Sequence, residues 1–182
     1  HLNGPSLRYE FDLARLFSKG IYDMADSQTA DGLIPDIAPE YTVFPDGFRD
    51  SPEWGSAFVL VPWQQYEWDG DLQLLKTHYA AMKRYVAYLQ GKSKDNILDY
   101  GLGDWYDIGP ARPGKAQLTP VALTATAFYY QDARILAQAA ALLDNTADAQ
   151  QYEELSGEIA QAFNQKFYRA EAHQYATGSQ TA

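Results

Sequence analysis

The sequence predicts an all-α fold, about five antiparallel helices with long loops gathered at one end, and three observations predict it. Apolar residues recur at intervals of three and four in successive stretches along the chain. Two of those stretches open on a Ser-Pro or Thr-Pro pair, in which a capping hydroxyl precedes a first-turn position that needs no N–H. The connections between the stretches alternate strictly between long and short.

The first helix is expected from about Leu7 to Gln28, started by Gly4-Pro5 and striped by Leu7, Phe11, Ala14, Ser18, Ile21 and Ala25. Ser51-Pro52-Glu53 opens the second with a serine N-cap, a proline and a carboxylate facing the positive end of the helix dipole. It runs to about Trp68, and Pro62 inside it is expected to kink or split it, because proline removes a donor and crowds the preceding turn. After Asp69-Gly70, the spacing of Leu72, Leu75, Tyr79, Met82, Val86 and Leu89 gives a third helix ending near Gly91. Thr119-Pro120 opens a fourth, apolar on most sides, as far as about Leu143. Following the turn Asp144-Asn145-Thr146, the fifth presents Tyr152, Leu155, Ile159, Phe163 and Phe167.

The long connections are Thr29 to Asp50 and Lys92 to Leu118; the short ones are Asp69-Gly70 and Asp144 to Thr146. If consecutive helices run antiparallel, every long loop lies at one end and every short turn at the other. Irregular loops of more than about fifteen residues are uncommon unless functional, which makes the long-loop end the candidate site.

Composition narrows the partners. A net charge of -10, spread along the chain, repels nucleic-acid phosphates and anionic membrane surfaces. With no cysteine there is no disulfide, thiolate nucleophile or cysteine-bearing zinc site. The most apolar stretch, Leu118 to Leu143, is cut by Gln131, Asp132 and Arg134 and reads as a buried helix rather than a membrane span. His1 in place of an initiator methionine and the closing GSQTA suggest a piece of a longer protein.

The long loops carry the unusual residues. TADGLIPDIAPEYTVFPDGFRDSPEWG supplies Asp36, Glu40, Arg49, Asp50, Glu53 and Trp54, and YGLGDWYDIG supplies Asp104, Trp105 and Asp107. Such an acidic, aromatic rim suits a sugar, whose hydroxyls need carboxylate acceptors and amide or guanidinium donors while its C–H patch stacks on indole faces. The glycines of YGLGDWYDIG allow backbone turns that aim Asp104 and Trp105 inward. The structural alternative is that the carboxylates cap or are solvated and the two tryptophans pin loops to the helical body.

Other motifs carry less. GPARPGK, residues 109–115, resembles a phosphate loop but has Ala116 where the metal-binding hydroxyl belongs, and Pro110 and Pro113 delete donors. His1, His78 and His173 are dispersed and support neither a metal site nor a catalytic triad. Asp99, Asp104 and Asp107 lack the EF-hand spacing for calcium. Lys83, Arg84, Lys92 and Lys94 with Tyr85 and Tyr88 read as a solvated basic helix face.

In DGLIPDIAPEY, GFRDSPEWGSA with VPWQQY, YGLGDWYDIG and QLTPVALTATAFYY, which follow one another along most of the chain, the sequence resembles the catalytic domain of the α-L-rhamnosidases, glycoside hydrolases built on a six-hairpin (α/α)6 barrel. The resemblance implies that residues 1–182 are a single segment, the central portion of such a barrel, packed against the rest of its own domain. It implies a rhamnose-containing carbohydrate substrate, no cofactor, no metal, no nucleic-acid or membrane partner, and a periplasmic or extracellular setting. By it, Trp54 and Trp105 wall the sugar pocket, Asp104 lies beside the second, and Asp36 and Glu53 are further substrate-binding candidates by loop position. Ser56 departs from the aspartate that many relatives carry after the Trp-Gly pair, so that one polar contact is either missing or supplied by Glu53.

Inverting hydrolysis needs an acid and a base about 6.5–9.5 Å apart. The resemblance implies a general acid before His1 and a general base after Ala182. Three alternatives stay open at this point: another exo-glycosidase of the same architecture, a member that binds sugar without cleaving it, and a non-catalytic helical interaction module. The last would show a fixed repeat of about 34 to 47 residues with short connections, whereas the helix openings here are unequally spaced.

Overall fold

The computed structural model describes residues 3–182. Its helices are α1 (Gly4–Arg8), α2 (Ala14–Asp26), α3 (Pro52–Gly55), α4 (Ala57–Asp69), α5 (Gln73–Lys92), α6 (Val121–Leu142) and α7 (Thr146–Phe167). A short antiparallel hairpin follows, β1 (Tyr168–Arg169) pairing with β2 (Gln174–Tyr175). α4 packs against α2, α5 and α6, while α6 lies along α7. Phe58, Leu75, Met82, Val86, Leu89, Tyr129, Leu136 and Ile159 meet in one core. Burial of each such aliphatic side chain contributes roughly 2 kcal/mol.

The two short turns are built as the sequence leads one to expect. Gly70 closes α4 in the left-handed region at φ 76°, and its N–H returns to the Tyr66 carbonyl. The Asp69 and Asp71 carboxylates then accept the Asp71 and Gln73 N–H groups as α5 begins. At the second turn the Asn145 side chain caps α7 by accepting from Asp148 N at 3.2 Å. Both long loops therefore fall at the opposite end, where α4 and α6 begin and α5 finishes.

Several expectations are corrected. The helix expected over Leu7 to Gln28 is broken between Arg8 and Ala14: Asp12 accepts the Ala14 N–H at 3.1 Å, a local turn that competes with the helix. Leu7 and Phe11, read as part of a buried stripe, are exposed. The second helix divides at Ser56, whose hydroxyl donates into the core to Asp132, rather than at Pro62, which is accommodated within α4. Neither Ser51 nor Thr119 caps a helix with its side chain. Ser51 turns to the second long loop, and Thr119 pairs with Ser179 at 2.6 Å.

The basic face of α5 is exposed at Arg84 and Lys92, as expected, and its side chains also serve as struts. Lys83 binds Asp148 at 2.8 Å, Arg84 binds Gln28, Lys92 and Tyr88 bind Asp50, and Tyr85 is buried. His78 is also buried, edge-on to Tyr22 and Phe58, and its Nε2 has no hydrogen-bond partner. Packing accounts for His78 where hydrogen bonding does not. Burial pushes its pKa below the ordinary value. His173 occupies the tight turn of the β hairpin at φ 49°; His1 lies outside the described residues.

Candidate functional site

The first long loop folds back on itself before it enters α3. Asp36 N donates to the Arg49 carbonyl at 3.0 Å, and the Arg49 guanidinium grips Glu40 through Nε at 2.6 Å and its second nitrogen at 3.1 Å. The Asp36 carboxylate in turn accepts Ser51 N at 3.0 Å. The loop thus delivers Asp36, Ser51 and Glu53 to one place.

Ser51 is the hinge between the two long loops. Its Oγ donates to Glu53 Oε2 at 2.8 Å and accepts Leu102 N at 2.9 Å. The second oxygen of Glu53 accepts from Thr124 Oγ1, on the first turn of α6, at 2.7 Å. Glu53 is buried. Both of its oxygens accept from protein hydroxyls. Gly101 is pressed against this pair: a Cβ there would lie 2.8 Å from Ser51 Oγ and 3.1 Å from Glu53 Oε2, and its φ of 103° is one L-residues rarely adopt. YGLGDWYDIG is held to SPEW by a backbone approach that only glycine permits.

Above this anchor stand the aromatic rings. Trp54 and Trp105 are half-buried, with ring centroids 6.0 Å apart and planes tilted by 58°. Phe48 meets Trp105 edge-on at 6.1 Å, and Tyr106 meets its other neighbourhood at 5.5 Å. Trp105 is therefore the centre of a four-ring cluster at the long-loop end. Asp104 is half-buried beside it and accepts from Thr181 Oγ1 at 2.5 Å. The segment after the β hairpin adds Thr177 to the Leu118 carbonyl at 2.8 Å and so closes over the second loop. Asp107, by contrast, accepts the N–H groups of Gln117 and Leu118, which hold its carboxyl below the usual range; it shapes the loop.

The electrostatics of Asp36 set it apart. Burial raises its pKa to about 7, with the Asp50 and Glu53 carboxylates adding to the rise and the Ser51 N–H opposing it. Below that pH the carboxyl is neutral and able to donate. The rings offer stacking faces while Asp36 and Asp104 offer hydrogen-bonding oxygens, a combination that suits a hydroxylated ring with an apolar face.

Sequence reasoning missed Thr124, Phe48, Tyr106 and Thr181 as parts of this arrangement, and the bridging role of Ser51. Thr124 carried a signal, a hydroxyl in a nearly continuous apolar helix. Thr181 carried none, since only the hairpin brings it across to Asp104. Among the described residues no cluster of three histidine or acidic side chains is disposed to hold a metal.

Over residues 1–182 the chain matches the family described as the bacterial α-L-rhamnosidase six-hairpin glycosidase domain. It is 29% identical over 180 residues to an α-L-rhamnosidase of Formosa agariphila, covering 98% of this chain and 19% of that protein. Among solved structures it is similar to the α-L-rhamnosidase of Dictyoglumus thermophilum, with 32% identity and a TM-score of 0.79 over 87% of this chain and 17% of the other. A Streptomyces avermitilis α-L-rhamnosidase solved with L-rhamnose is 30% identical, with a TM-score of 0.75 over 87% of this chain and 14% of that one. The chain thus spans less than a quarter of the length of each of these proteins.

Proposed function

The chain belongs to the bacterial α-L-rhamnosidase six-hairpin glycosidase family, and we propose that it is the central portion of an (α/α)6 catalytic domain that removes terminal α-L-rhamnose by inverting hydrolysis. The observation that carries the proposal is the tilted pair Trp54 and Trp105, 6.0 Å apart and set on loops joined through Ser51. Two indoles inclined in this way form a corner that the C–H faces of a deoxysugar can enter, and Asp104 stands at its edge.

In this reading the segment binds and orients. Trp54 and Trp105 exclude water from the sugar ring, Asp104 accepts from a sugar hydroxyl, and Asp36 in its neutral form donates to one. Glu53, its oxygens taken by Ser51 and Thr124, fixes α3 under Trp54. The general acid and general base come from parts of the domain outside residues 1–182, at the separation that leaves room for an attacking water. A protein that walls its pocket in this way discriminates by shape, since one sugar differs from the next by hydroxyls and a methyl group.

The test is turnover of a panel of aryl glycosides by the full-length protein. Preference for the α-L-rhamnoside, with β-rhamnose released first, is the expected result. Turnover of a different aryl glycoside alone would keep the architecture and replace the sugar; turnover of none by the folded protein would leave sugar binding without cleavage.

A further inference from the structure

α3 is a helix of one turn, and every residue of it except Trp54 is buried. It is held from below at Glu53, at Gly55 and at Ser56, which follows it. Glu53 is bound by Thr124 of α6. Gly55 lies so close to Tyr85 of α5 that a Cβ would sit 2.4 Å from the phenol oxygen. Ser56, where α3 gives way to α4, donates from Oγ to Asp132 Oδ2 at 2.5 Å, both residues being fully buried. α6 therefore grips the turn at two points, Thr124 near its start and Asp132 farther along.

Asp132 is expensive to keep. Its Oδ1 has no hydrogen-bond partner, and burial raises its pKa well above the carboxylate range. A buried acid with one oxygen unsatisfied weakens a core that an apolar residue would strengthen. What the acid supplies in return is a hydrogen-bond acceptor for the Ser56 hydroxyl, at the junction of α3 and α4 two residues after Trp54.

We infer that Asp132 is a positioning residue for the sugar pocket, setting through Ser56 the angle at which Trp54 stands against Trp105. The inference rests on the proposed role of Trp54 as a pocket wall. Asp132 touches no substrate. Its effect is carried by one hydroxyl and one turn of helix.

The experiment compares Asp132→Ala, Asp132→Asn and Leu136→Ala in the full-length protein. Leu136 is a fully buried residue on the same helix with no part in the grip on α3. Two quantities are read: the near-UV circular dichroism band that depends on Trp54, taken against Trp54→Phe, in the absence of sugar; and KM and kcat on an aryl α-L-rhamnoside. Asp132→Ala is expected to alter the band and raise KM about five-fold with a smaller change in kcat, as loss of one positioning hydrogen bond should. Asp132→Asn, whose amide oxygen still accepts from Ser56, restores both. Leu136→Ala lowers the melting temperature and moves neither.

If Asp132→Ala leaves the band unchanged, or if Leu136→Ala changes it as much, the inference is overturned. Should Asp132→Ala fail to fold, Ser56→Ala removes the same bond from the other side and carries the same expectations. The two readouts separate the claims: a wild-type protein with no affinity for rhamnosides sinks the pocket reading, while the Trp54 band still decides the positioning.

Discussion

Ser51 Oγ accepts Leu102 N at 2.9 Å while donating to Glu53 Oε2 at 2.8 Å. A single hydroxyl thereby joins the end of one long loop to the start of the other and fixes the acid beneath Trp54. The contact between the two loops depends on how closely the second can approach that hydroxyl.

Gly101→Ala tests that approach. The substitution forces an L-residue to φ 103° and brings a methyl group within 2.8 Å of Ser51 Oγ. The expected cost is about 3 kcal/mol. Denaturant unfolding of the full-length protein checks it; a loss below about 0.5 kcal/mol would mean that the loop can move away from Ser51.

The struts on α5 differ in worth. Asp50 binds both Tyr88 and Lys92, and Lys92 also lies 3.8 Å above the Tyr100 ring. Lys92→Met removes one partly exposed charge pair and should cost under about 1 kcal/mol. Asp50→Ala leaves the half-buried Tyr88 hydroxyl without its acceptor and should cost about 2 kcal/mol. Equal losses for the two variants would show that Tyr88 contributes nothing to the tie.

Asp36 predicts a pH dependence with a definite sign. Its pKa of about 7 is raised from 3.8, so the folded state binds the proton more tightly than the unfolded state. The associated stability is fully present below about pH 4 and declines as the pH rises to about 7, above which it is constant. Its magnitude is on the order of 2 kcal/mol, allowing for partial solvent screening. Asp132, raised in the same direction, adds to the slope. Asp36→Asn should therefore unfold with a flatter stability profile between pH 4 and 7. A stability profile with the same slope over this window in the wild type and in Asp36→Asn would refute the assignment.

Much of this was legible in the sequence because it depends on short-range rules. The stripe from Leu72 to Leu89 and the Asp69-Gly70 turn locate α5 to within a residue or two, and the alternation of loop lengths places the site at one end. Trp54 and Trp105 were legible as a pair on those grounds, and the ring contact between them follows. Long-range polar contacts were not legible. Asp12 breaking the first helix is local but weak; the bond from Ser56 to Asp132 joins residues far apart in the chain, and no local pattern identifies it. The two-residue strands are too short for an alternating pattern, and with them the route by which Thr181 reaches Asp104 is invisible in the sequence.

The central claim is that Trp54 and Trp105 wall a rhamnose pocket, and kcat/KM on an aryl α-L-rhamnoside, measured for the full-length protein with Trp105→Ala and with Trp68→Ala, tests it most directly. Trp68 is an exposed tryptophan at the far end of α4 that packs edge-on against Tyr9, 4.8 Å away. Trp105→Ala should lower kcat/KM by about ten-fold or more while Trp68→Ala changes it by less than about two-fold. Equal effects from the two, or no loss from Trp105→Ala, would contradict the account.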